Sequence, residues 1–171
     1  MKFVNIILGV ALFFAAIAKA DEFSDIKCGQ DVPKAVIGKT SASGPVKKIE
    51  EAHKDIGLKD LGGDGVAEDP YYLIWWEICG KKYVFITSHA DKKNVISDVL
   101  EIPPSLSELK ESLPGSTCFI KGKKVDGYYL AFLEKESKGD KLPAKKVWMI
   151  NQKTFKFKSV SAKNYVCNKI E

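Results

Sequence analysis

From Tyr71 to the C-terminus the chain alternates short apolar runs with glycine, proline, asparagine and paired lysines, the rhythm of strands joined by tight turns. Tyr71 to Ile78 and Tyr83 to Ser88 flank Cys79-Gly80-Lys81-Lys82 and predict a hairpin in which the glycine supplies a backbone angle that other residues resist. Val95 to Ile102 predicts a third strand, stopped by Pro103-Pro104. Ser105-Leu106-Ser107-Glu108 then has capping-box spacing, in which a serine oxygen and a glutamate satisfy each other's loose backbone donors. A short helix is therefore expected over Ser105 to Ser112, ended by Pro114-Gly115. Thr117 to Lys121 and Tyr128 to Lys135 predict a second hairpin, Lys145 to Ile150 and Phe155 to Val160 a third, and Asn164 to Cys167 a last strand. Before Tyr71 the pattern is weaker, with a helix expected over Val46 to His53.

Alternation also assigns faces. Along Tyr71 to Ile78 one face carries Tyr72, Ile74, Trp76 and Ile78, and the other Tyr71, Leu73, Trp75 and Glu77. Both faces are apolar, so this hairpin is expected to be central and covered on both sides, or to offer its second face as a binding surface. Phe155 and Phe157 alternate with Lys156 and Lys158, which predicts a strand with one wet face. The fold class that follows is mainly β (α+β): an antiparallel, curled or sandwich-like sheet with one or two short helices.

The N-terminus changes the compartment. Lys2, an apolar run from Phe3 to Ile17 and then Ala18-Lys19-Ala20 have the layout of a signal peptide cleaved before Asp21, leaving residues 21–171 as one exported globular domain, periplasmic or secreted. About 15 apolar residues fall short of the ~20 that span a bilayer, so no membrane span is expected after cleavage. All four cysteines, Cys28, Cys79, Cys118 and Cys167, lie in the mature part, and an even count in an exported chain predicts two disulfides. Three connectivities are open, with a lean towards the sequential one. None of the four forms a C-x-x-C pair and His53 and His89 are isolated, which argues against a zinc site.

Every basic side chain is lysine, a point charge without the planar two-pronged grip of arginine. The chain has 27 basic and 22 acidic residues, and loss of Lys2 and Lys19 leaves the mature part at +3, read as a mild charge spread along the length. With no basic stripe and no recognition motif, nucleic-acid binding is not expected. The lysine pairs are expected at turns and sheet edges, where charge blocks edge-to-edge association.

The most specific local signal is Asp60-Leu61-Gly62-Gly63-Asp64-Gly65-Val66-Ala67-Glu68-Asp69. It resembles the D-x-D-G-D-G-x-x-E calcium loops of dockerin modules and integrin-like β-propeller repeats, departing from them at Gly62. The resemblance implies a calcium site built from Asp60, Asp64, the Val66 carbonyl, and Glu68 or Asp69; the alternative is an acidic glycine-rich turn feeding the Tyr71 strand. A second signal is aromatic. Adjacent pairs such as Trp75-Trp76 and Tyr128-Tyr129 point to opposite faces, so Tyr71, Trp75, Tyr128 and Tyr129 are candidates for an exposed binding face unless the sheet is covered twice. The function these readings favour is a non-enzymatic exported module that binds a protein or cell-envelope component. The alternatives are a small hydrolase using His53 or His89 with a carboxylate, and a calcium-stabilised structural domain.

Overall fold

The computed structural model describes residues 23–41, 45–64, 71–90, 93–106, 110–112, 118–133 and 141–168. The expected signal peptide lies outside these residues. Strands β1 (Lys59–Asp64), β2 (Tyr71–Ile78), β3 (Lys81–Ala90) and β4 (Lys93–Ile102) form an antiparallel sheet in chain order. A second antiparallel sheet comprises β5 (Lys110–Ser112), β6 (Cys118–Ile120), β7 (Lys123–Lys124), β8 (Tyr129–Leu133), β9 (Lys141–Asn151), β10 (Lys156–Val160) and β11 (Tyr165–Asn168). Its order is β5-β8-β9-β11-β6-β7, with β10 also paired to β9. The edge of β9 is divided: β11 pairs with its start and β10 with its end, while β8 lies along the other edge. A bulge where Lys146 and Ala144 oppose Phe132 and Leu133 lets this sheet curl.

The chain places its central hairpin as the alternation predicts. β2 and β3 pair from Tyr71 with Ser88 to Ile78 with Lys81, across a two-residue turn in which Cys79 (φ 53°) and Gly80 (φ 73°) are both left-handed, the geometry that matches strand twist. One face carries Trp76, Ile78, Tyr83 and Phe85 and lies under the N-terminal segment, which contributes Phe23, Ile26, Val32, Val36, Ile56 and Leu58. Two short helices, α1 (Val32–Val36) and α2 (Val46–Ala52), belong to this cover, and the Asp31 carboxylate caps α1 by accepting from the Lys34 N–H. The opposite face carries Tyr71, Leu73, Trp75, Val84 and Ile86 and packs on Leu130, Phe132 and Ile150 of the second sheet. A third cluster, with Tyr129, Ala131, Leu133, Leu142, Val147 and Tyr165, fills the curl of that sheet.

Both disulfides are sequential, Cys28–Cys79 and Cys118–Cys167, with separations of 51 and 49 residues. The first fastens the N-terminal cover to the turn of the central hairpin. The second joins residues already paired across β6 and β11. Loops of this length are worth on the order of 4 kcal/mol each on the chain-entropy account.

Two expectations are corrected. The described parts of Ser105 to Ser112 are not α-helical: a 3-10 turn over Pro104–Leu106 drops Leu106 into the space between the sheets, and β5 pairs with β8, while residues 107–109 lie outside the described residues. Thr117 to Lys121 and Tyr128 to Lys135 do form strands, yet not one hairpin. β6 turns back within two residues, at left-handed Lys121 (φ 49°) and Gly122 (φ 80°), to pair with β7, and β8 pairs with β5 and β9 instead. The hairpin of β9 and β10 forms as expected, with Phe155 and Phe157 packed inward and Lys156 and Lys158 exposed.

A single carboxylate ties the two sheets through a polar link. Asp98 of β4 accepts from the Phe157 N–H of β10 at 2.8 Å and from its neighbour Val99 N–H at 3.0 Å. Replacing it strands a half-buried amide, so Asp98→Ala is expected to lower stability by about 1–3 kcal/mol in denaturant unfolding. A change within about 0.5 kcal/mol would show that the link carries no weight. Burial in the N-terminal core, reinforced by the charges of Glu101 and Asp31, pushes the Tyr83 phenol up to about 12. The folded state thus holds this proton where the unfolded chain has lost it. The contribution is complete below pH about 10 and disappears as pH climbs towards about 12. Tyr83→Phe should flatten the fall in melting temperature across that window; an unchanged alkaline profile would remove Tyr83 as its source.

Candidate functional site

The aromatic residues singled out in the sequence are core. Tyr71 and Trp75 are 3% and 5% exposed, in the seam between the sheets. The Trp75 ring meets Phe132 at 6.4 Å, and Tyr71 is flanked edge-on by Tyr128 at 5.4 Å. Tyr128 is half-buried there, while Tyr129 points the other way into the curl, where its hydroxyl accepts from the Cys118 N–H at 2.9 Å. These four residues therefore do not form an exposed row. The sheet is covered twice, and the second sheet occupies the face that the alternation left open.

The acidic segment is also placed differently. Asp60 to Asp64 is β1, an edge strand beside β2, with Asp60 opposite Trp76 and Asp64 opposite Leu73. The Asp60 carboxylate instead accepts from Gly62 N–H at 2.9 Å, and the Asp60 N–H donates to Glu50 of α2 at 2.8 Å. Val66, Glu68 and Asp69 lie outside the described residues, and among those described no group of His, Cys, Asp and Glu is arranged to hold a metal. The glycines have another reason to be there. Gly62 (φ 104°) forms the bulge where the register skips, and a Cβ on Gly63 would stand 2.9 Å from the Leu73 carbonyl oxygen.

The histidines are far apart. His53 follows α2 near the Cys79 turn and packs edge-on against Phe23 at 5.6 Å. His89 pairs through its backbone with Asn94 at the opposite end of β3. Ser88, its neighbour in sequence, is buried and its Oγ accepts from Ser97 Oγ at 2.9 Å. No shared cleft brings these residues together.

What the layers separate is charge. Along the sequence, residues 21–109 hold 11 lysines and 16 acidic residues, and from 110 onward there are 14 lysines and 6 acidic residues; among the described residues the first layer, N-terminal cover and first sheet, carries 10 of each, and the second 11 lysines and 2 acidic residues. The charge is thus partitioned, about −5 against +8, and not spread along the chain. Among the described residues, the ion pairs Lys39–Asp25, Lys59–Glu77 and Lys81–Glu101 all lie in the first layer. The described lysines of the second layer from Lys121 to Lys163 are exposed, and none forms an ion pair with another described residue.

Within that layer the outer face of the curl carries an apolar strip. Phe119 of β6 and Val166 of β11 are register partners facing away from the Cys118–Cys167 side, and both are half-buried. Together with Lys121, Gly122, Lys141 and Asn164 they line a groove of about 400 Å³, within the range of small-ligand sites. The Lys141 ammonium stands 5.7 Å from the centre of the Phe119 ring, a cation–π distance. No family model, curated protein or solved structure matches the chain.

Among the residues missed in sequence, Lys121 and Lys141 had one available signal, the charge count taken by halves of the chain instead of over its length, and Phe119 and Val166 had none. Gly63→Ala should lower stability by about 1–3 kcal/mol through the forced clash with Leu73, as an overpacked site does. The wild-type melting temperature should be the same in millimolar calcium and in chelator. A calcium-dependent rise would show that the acidic segment closes on an ion.

Proposed function

We propose that the chain is an exported, non-enzymatic binding module, periplasmic or secreted, that engages an anionic component of the cell envelope through its lysine-rich second sheet. The observation that carries this reading is the unequal charge of the layers, 11 lysines against 2 acidic residues among the described residues of the second and 10 of each in the first. Such an asymmetry turns the molecule as it approaches a negative surface, presenting the second sheet. Lysine suits this task, since a flexible point charge follows a diffuse anionic surface without demanding fixed geometry. Two disulfides support an oxidising compartment, and no described helix is long and apolar enough to cross a membrane.

The test uses residues 21–171 and vesicles of phosphatidylglycerol in phosphatidylcholine. Binding should rise with the anionic fraction and fall steeply as salt shortens the range of the charges, ~10 Å at 0.1 M. Reversing Lys123, Lys124, Lys145 and Lys146 to glutamate should abolish it, whereas Lys47→Glu with Lys48→Glu in α2, and His53→Gln with His89→Gln, should leave it unchanged. Equal loss in the first-layer variants, or no preference for anionic over neutral vesicles, would overturn the reading.

A further inference from the structure

The groove on the outer face has a chemistry of its own. Its floor is apolar, from Phe119 and Val166, and its cations come from two directions, Lys121 in the β6–β7 turn and Lys141 at the start of β9. None of the six lining residues is acidic, and neither lysine is ion-paired among the described residues. Lys121 is held in the left-handed region, where a lysine is disfavoured, by a two-residue turn that closes onto Lys123. Asn164, also left-handed, forms the opposite wall at the entrance to β11. The Cys118–Cys167 bond lies one residue from both Phe119 and Val166, so the two floor residues are held in fixed register by a covalent link directly behind them.

We propose that this groove binds a single-chain anionic amphiphile, with its acyl chain on Phe119 and Val166 and its carboxylate or phosphate head between Lys121 and Lys141. Charge complementarity selects the head, because a neutral or cationic head gains nothing from two ammonium groups that have no acidic partner among the described residues. The apolar floor selects the chain, because a small anion alone buries no apolar area. The open, shallow shape suits one chain in place of the two of a bilayer lipid. The inference rests on the envelope-binding reading and deepens it: the lysine layer brings the module to an anionic surface, and the groove takes one molecule from it.

The experiment is titration of residues 21–171 with dodecanoate and with dodecyl phosphate, below their micelle concentrations, followed by amide chemical shifts and calorimetry. Expected is saturable binding of either head type, with shifts centred on residues 119–122, 141 and 164–166. Acetate, inorganic phosphate, dodecyl maltoside and dodecyltrimethylammonium should each bind at least about tenfold more weakly, the loss of one ~1.4 kcal/mol contribution. Binding of dodecanoate alone identifies a carboxylate site and of dodecyl phosphate alone a phosphate site. Lys141→Gln should weaken both, and Val166→Asp should abolish them, with far-UV dichroism and melting temperature showing that each variant folds. Equal binding of the neutral or cationic detergent, shifts centred elsewhere, or unaltered affinity in a folded Val166→Asp would overturn the proposal. Vesicle binding that persists in folded Val166→Asp while dodecanoate binding is lost separates this site from the surface reading.

Discussion

Double coverage of the β2–β3 hairpin is the constraint on which the structure depends. A strand pair with large apolar side chains on both faces has no stable place at a surface. Each of Leu73, Trp75, Val84 and Ile86 on one side, and Trp76, Ile78, Tyr83 and Phe85 on the other, gains about 1.5–3 kcal/mol only when water is removed from it. The N-terminal segment packs on one face. The second sheet therefore has to dock, and Leu130, Phe132 and Ile150 line up against the face that the N-terminal cover does not reach. Asp98 adds direction to this contact, since its two backbone acceptances fix β10 relative to β4 in a way that apolar contact alone does not.

The same layering sorts the charges. With the aromatics consumed by the core, the surface is left to lysines and carboxylates, and these fall unequally between the layers. Among the described residues the first layer carries 10 lysines and 10 acidic residues, with three of those lysines in ion pairs, and the second carries 11 lysines and 2 acidic residues. The exposed pairs themselves add little to stability. Their arrangement matters for orientation. The edge strand β7 consists of Lys123 and Lys124, so the charge that invites an anionic partner also discourages another sheet from adding to this edge.

Much of this was legible in the chain. The alternation over Tyr71 to Ile78 assigns both faces correctly, Cys79-Gly80 marks its turn, and Phe155-Lys156-Phe157-Lys158 marks a half-wet strand; all are local signals that tertiary packing reinforces. The sequential disulfides also agree. What escaped depended on partners distant in sequence. The capping-box spacing at Ser105 to Glu108 is a local preference that pairing with β8 overrides, and Asp60 to Asp64 has the composition of a turn because β1 approaches Leu73 too closely for a side chain at Gly63. α1, at five residues, is too brief to leave a period. At the groove, Phe119 and Val166 meet only once β6 and β11 pair, and their separation of 47 positions leaves no spacing to read. Tyr71 and Trp75 illustrate the reverse case, where a pattern consistent with an exposed platform is resolved by a sheet that forms later in the chain.

Trp75 tests the whole arrangement, since the same residue is a core side chain if the sheets pack on each other and a surface platform if they do not. In a variant carrying Trp76→Phe and Trp148→Phe, shown by far-UV dichroism to be folded, Trp75 is the sole indole. Its emission should be blue-shifted and inaccessible to acrylamide until denaturant unfolds the chain. Red-shifted emission that acrylamide quenches in the folded protein would contradict the double coverage of the hairpin.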